Sequence, residues 1–186
     1  MTRTRCPWLP PDLEPYRDYH DEEWGVASRD RRHLFEMICL EGAQAGLSWW
    51  TILRKREHYR EVFRNFEPEK IVRMTDAQLE KLVLDPGIVR HRGKIFGVRQ
   101  NAESWLALEK SEGDAVKWLW SFVGDRPIIN RWKSMEEYPA KTPESEALSK
   151  AMKKAGFTFF GPTIAYAFMQ AVGMVDDHSA DCFLGC

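Results

Sequence analysis

The chain has 186 residues, 44 % of them hydrophobic and 30 % charged, with a formal net charge of −1. These values describe one globular unit long enough to bury a real core, and they exclude collagenous, low-complexity and membrane-spanning chains. A charge near zero gives no overall attraction for nucleic acid, so any phosphate-binding face has to be local.

The opening residues MTRTRCPWLPPDLEP contain no apolar run of a signal peptide, and the cytoplasm is the expected location. Tyr16 to Gly25 is aromatic and acidic without helical periodicity, which predicts a loop whose aromatics cover the core or wall a pocket. Ser28 or Asp30 can cap a helix carrying Leu34, Met37, Ile38 and Glu41 at i, i+3, i+4 and i+7. Glu41 therefore falls on the apolar stripe, where an ionised carboxylate without a partner is expensive. Gly42-Ala-Gln-Ala-Gly46-Leu-Ser-Trp49-Trp50 follows, with two glycines that let the backbone turn and approach something closely. Tyr59, Val62, Phe63 and Phe66 share a second helical stripe.

Thr75-Asp-Ala-Gln78 reads as a capping box ahead of Leu79, Leu82 and Val83. A turn at Asp85-Pro86-Gly87 leads to a helix carrying Ile88, Ile95, Ala102 and Leu106. The two helices, at about 76–102, form a hairpin beside Arg90-His91-Arg92-Gly93-Lys94. A helix N-terminus and three cations suit a phosphate there, although Pro86 supplies no N–H. Asp114 opens a short helix through Trp118 and Phe122, and 124–142 is irregular. Thr142-Pro143 starts a helix that Gly156 ends. Phe157 to Phe160 is a candidate short extended piece. Pro162 opens a last helix, with Ile164, Phe168 and Val172, that Gly173 closes. No segment alternates as a strand does, so the predicted class is all-α with irregular chain ends.

Cys39 lies in an apolar helical run and is expected to be a buried thiol. Cys6, Cys182 and Cys186 lie at the two chain ends. Without a secretory signal a metal is favoured over a disulfide for them. His178-x3-Cys182 has the spacing of two ligands on one helical turn, and Cys6 and His20 complete a Cys2His2 set, with Cys186 as a possible substitute.

The blocks Tyr19-His-Asp-Glu-Glu-Trp-Gly25, Leu34 to Trp49, Gly87 to Ile95, and Phe168-Met-Gln-Ala171 followed by Asp177-His178 resemble the bacterial 3-methyladenine DNA glycosylase I family along nearly the whole chain. The resemblance implies a helix-hairpin-helix glycosylase fold in one unit, 1–186. Its end segments, 1–26 and 174–186, would be joined by one structural zinc ion on Cys6, His20, His178 and Cys182, and the helical body would span 27–173. It implies that Glu41 recognises the base, that Trp49 stacks on it, and that Tyr16, Tyr19, Trp8 and Trp24 surround it. Gln44, Gly46 and Leu47 would probe the duplex, and Gly87, Arg90, Arg92 and Lys94 would meet its backbone. The implied reaction is monofunctional hydrolysis in double-stranded alkylated DNA by a monomer, releasing free 3-methyladenine. No activated nucleophile or Schiff-base lysine stands out in the hairpin. Two other readings fit the residue pattern alone: a non-catalytic DNA-binding hairpin module, and a zinc-stapled interaction protein.

Overall fold

Ten α-helices order the described residues, 3–10 and 12–185, of the computed structural model. Cys186 lies outside them. The helices are α1 (Glu14–Glu22), α2 (Arg31–Gln44), α3 (Trp49–Leu53), α4 (Arg56–Val62), α5 (Pro68–Ile71), α6 (Asp76–Val83), α7 (Arg92–Glu112), α8 (Ala115–Ser121), α9 (Pro143–Lys154) and α10 (Pro162–Ala171).

Helix α2 is the axis of the core. Asp30 caps it by accepting from the His33 N–H at 2.6 Å. Every residue from Leu34 to Ala43 is buried, because α3, α7, α8 and α10 pack around it. A helix enclosed on all sides has no solvent face to hold polar groups, so both of its buried carboxylates need explaining. Glu36 accepts from Arg32 (2.9 Å), Arg56 (2.5 Å) and Arg60 (2.9 Å). Arg56 also grips Glu23, after α1, with two bonds of 2.7 and 2.8 Å. That network ties α1, α2 and α4 together with its charges paired. Glu41, at the far end of α2, has no such arrangement.

The capping boxes at Thr75/Gln78 and Thr142/Ser145 start α6 and α9. Gly156 (φ +95°) and Gly173 (φ +68°) follow α9 and α10 in the left-handed conformation that ends a helix.

Five expectations need correction. Residues 14–22 are helical, not a loop: their periodicity is hidden because the aromatics serve a pocket as well as the core. Phe66 is buried but lies beyond α4, where Arg64, Asn65 and Phe66 all take positive φ. Ile88 precedes α7, which starts only after His91 accepts from the Lys94 N–H at 3.1 Å. Residues 157–160 form no strand. His178 lies in irregular backbone and Cys182 at a bend, not on one helical turn.

One piece of sheet does exist. Strand β1 (Ile128–Ile129) pairs in parallel with β2 (Val175–Asp176), Ile128 opposite Val175. This ladder pins the irregular 124–142 segment beside the residues that follow α10 and so brings it to the pocket described next. Among the described residues no helix is long and apolar enough to cross a membrane.

Candidate active site

A cavity of about 320 Å³ opens at the C-terminal end of α2, within the size range of small-ligand sites. Helix α1 contributes Tyr16 and Tyr19, α2 contributes Glu41 and Gln44, and α3 contributes Trp49; Trp8 and Trp24 flank α1. The six side chains expected around a base from the sequence are thus brought together, and Gln44, expected to probe the duplex, lines the same cavity. Five more lining residues were not expected at the site from the sequence: Met135, Tyr138 and Pro139 from the segment pinned by β1, and Ala167 and Gln170 from α10, although Gln170 lies in one of the blocks that carry the resemblance.

The aromatic walls brace one another. Tyr16 lies parallel to Trp50 (12°, centroids 6.1 Å apart), Tyr19 packs on Trp49 at 5.3 Å, and Trp8 meets Trp24 edge-on at 4.8 Å. Gln170 is held from behind: its Nε2 donates to Asp177 at 2.7 Å, while Asn130, Trp132 and Tyr166 donate to the same buried carboxylate.

Glu41 is only 3 % exposed, and its Oε2 has no hydrogen-bond partner. Burial pushes its carboxyl up to about 8, against a smaller opposing pull from Arg56. The Gln44 Oε1 and the indole Nε1 of Trp8 and Trp49 are also buried without a partner. Buried polar atoms are normally satisfied. Four such atoms in one cavity mark a surface shaped for a polar ligand with a flat, stackable body. Burial and the nearby Glu41 charge hold the Tyr16 hydroxyl up at about 12, so it stays protonated at working pH.

Behind the pocket, single ligand atoms of Cys6, His20 and Cys182 lie within 4.8 Å of one another, all buried. The His178 ring stands edge-on to His20 with centroids 5.1 Å apart, and its buried Nε2 has no partner. Carboxylates orient both imidazoles. Asp21, clamped by Arg5 at 2.6 Å, accepts from His20 Nδ1 at 2.8 Å; Asp176, clamped by Arg131 at 2.9 Å, accepts from His178 Nδ1 at 2.7 Å. An ionised carboxylate only accepts, so Nδ1 carries the proton in each ring and Nε2 is left as a lone-pair donor. Two such imidazoles and two thiols are a donor set suited to one tetrahedral metal, with the carboxylates as its outer support. Trp8 packs on His20 at 5.3 Å and Trp24 on His178 at 4.9 Å, so this cluster also backs the pocket wall.

The residues expected to meet DNA divide into two groups. Gly46 (φ +79°) and Leu47 (43 % exposed) form an exposed turn at the cavity edge, and Arg90 is exposed on the hairpin. Arg92 is exposed but paired with Glu80 at 2.6 Å. Gly87 and Lys94 face inward. The Gly87 N–H donates to Asp85 Oδ1 at 2.7 Å, and a Cβ at this position would strike the His58 ring at 2.1 Å. Lys94 Nζ donates to the carbonyls of Ala43 and Ala45.

Residues 8–185 match the family model described as methyladenine glycosylase. The DNA-3-methyladenine glycosylase of Haemophilus influenzae is 50 % identical over 179 residues, 96 % of this chain and 96 % of that one. The crystal structure of a 3-methyladenine DNA glycosylase I, 50 % identical, superposes with a TM-score of 0.94 over 97 % of this chain and 98 % of that one. A tyrosine-to-phenylalanine variant of a 3-methyladenine DNA glycosylase I, solved in complex with 3-methyladenine, is 36 % identical. It superposes with a TM-score of 0.93 over 98 % of this chain and 97 % of that one.

Proposed function

The chain belongs to the methyladenine glycosylase family, and we propose that its pocket performs the family's reaction, hydrolysis of the N-glycosidic bond of 3-methyladenine in alkylated DNA, with Glu41 as the group that reads the base. The single observation carrying this assignment is a fully enclosed carboxyl with an unpartnered oxygen in an aromatic cavity.

N3-methyladenine attached to DNA is a cation, and it leaves as a neutral base. Its glycosidic bond is therefore already weak and needs little protonation of the leaving group. The protein has to extract the nucleotide from the duplex, hold the cation and admit water to the sugar carbon. Glu41 ionises on meeting that cation and accepts from the adenine amino edge, a charge-assisted bond. Trp49 stacks on the base face, and its π-cloud favours the cation by about 0.5–2 kcal/mol. Ordinary adenine is neutral and offers no charge to compensate a buried anion, so Glu41 keeps its proton against it and the charge-assisted bond is not made; this is how the site discriminates against undamaged DNA. Gln44, Gly46 and Leu47 occupy the place the base has left, and the exposed Arg90 meets the backbone. No side chain in the cavity serves as a covalent nucleophile in this scheme, so the product is an abasic site.

The Cys6, His20, His178 and Cys182 set would hold zinc, with each cysteine entering as thiolate and each imidazole neutral. All four positions are then filled by protein, and the ion's contribution is to join the two chain ends, not to take part in the reaction.

The test is direct. Incubation with methylated double-stranded DNA should release 3-methyladenine, identified by chromatography, and leave abasic sites in equal number. Tight binding of methylated DNA with no base released would instead favour a non-catalytic module.

A further inference from the structure

Lys94 sits in a basic hairpin but does not face solvent with it. Its ammonium donates to the carbonyls of Ala43 (2.9 Å) and Ala45 (2.5 Å) at the C-terminal end of α2. The last carbonyls of a helix have no intrahelical donor and carry the negative end of its dipole, so a half-buried cation is well placed there. Glu41 lies just before these residues, and the exposed Gly46–Leu47 turn just after them.

A second contact joins the same two helix ends. Phe159 lies on Gly42 of α2 and on Gly93 and Gly97 of α7, where an added Cβ would come within 3.3, 3.4 and 3.1 Å of it. Its backbone takes φ +55°, a strained conformation for an aromatic residue. The neighbours enforce it: Thr158 N–H donates to the buried Asn101 at 2.8 Å, and the buried Ser149 hydroxyl donates to the Phe160 carbonyl at 2.7 Å. The start of the hairpin's second helix and the base-reading end of α2 are thus fastened together at two points, one polar and one apolar.

We propose that Lys94 is a positioning residue that holds the end of α2 and the Ala45–Leu47 turn after it against the hairpin, so that engagement of the duplex backbone places the turn that enters the duplex, and that it does not bind a phosphate. This rests on the glycosylase function above. The lysine acts through two backbone carbonyls and touches neither base nor sugar. Losing it frees the turn while the aromatic cavity and Glu41 stay in place.

The test uses Lys94→Met, with Lys94→Gln as a second neutral variant should the first fail to fold, each compared with wild type in three measurements. Single-turnover release of 3-methyladenine from methylated duplex should fall on the order of ten- to a hundredfold, the scale on which misplacement of a positioning group is felt. Affinity for free 3-methyladenine should stay within about twofold, since uniform damage to the fold would reduce both. The slope of log affinity for duplex against log salt should be unchanged, whereas loss of one phosphate contact would reduce it by about 0.9. A reduced salt slope, unaltered excision, or a parallel loss of free-base binding would each overturn the proposal. Absence of excision by the wild-type protein would instead remove the glycosylase function on which it rests.

Discussion

Glu41→Gln is expected to reduce release of 3-methyladenine from methylated duplex by a factor on the order of 10² or more, the scale of losing one preorganised charged group in an enclosed site. Glutamine keeps the shape and one acceptor but cannot supply the negative charge that distinguishes a cationic base from adenine. The same substitution is expected to stabilise the free protein at alkaline pH. The carboxyl titrates at about 8 in the fold and near 4.3 in an unfolded chain. The folded state therefore holds the proton more tightly between these values, and stability falls as pH rises from the lower to the upper. Above pH 8 the buried anion costs the fold several kcal/mol, an order-of-magnitude figure from the size of the displacement. Near pH 4, where the carboxyl is largely protonated folded or unfolded, the two proteins should melt together; at pH 9 the variant should melt higher. A variant that is inactive and less stable at every pH would show Glu41 to be a structural group.

Removal of the proposed zinc ion is expected to have the second large effect. Purified protein should contain about one equivalent of zinc. A link between Cys6 and Cys182 closes almost the whole chain into a loop, which in the chain-entropy model is worth roughly 4–5 kcal/mol. For a domain of this size that corresponds to a melting temperature about 10 °C or more lower after chelation. Activity should fall with it, because Trp8 and Trp24 rest on the two imidazoles. Cys182→Ser should reproduce both losses. Metal-free protein that melts unchanged, or that contains a Cys6–Cys182 disulfide, would refute the assignment.

Several of these features are visible in one dimension because their cause is local. The capping residues Thr75, Thr142 and Asp30 act on the next turn of chain, so their helices are legible where they start. Glu41 stands out because a carboxylate on an apolar stripe violates helix patterning, and enclosure of α2 is what makes the violation real. Tyr16 and Tyr19 lie on a helix that is not legible as one: its side chains are chosen for the pocket as well as for the core. Met135 and Tyr138 reach the cavity through a ladder of two residues per strand, too short to leave an alternating pattern. Lys94 is the instructive case. Its place in a cationic run suggests a phosphate, and only the tertiary approach of α2 shows the carbonyls it serves. For the Cys6, His20, His178 and Cys182 set, the His178-x3-Cys182 spacing offers two candidate ligands and the resemblance implies all four, because no spacing along the chain specifies which residues two distant ends bring together.

The central claim is that Glu41 must lose its proton to hold a cationic base. The measurement that tests it most directly is kcat/KM for 3-methyladenine release between about pH 6 and about pH 9.5, because that ratio reports ionisations of the free protein. The charge of N3-methyladenine in DNA does not titrate in this range, and the Tyr16 hydroxyl, held at about 12, does not either. The expected profile rises with pH and levels off above about 8. A profile that falls through the same pH would make the protonated carboxyl the active form, and a profile that is flat would remove Glu41 from base recognition.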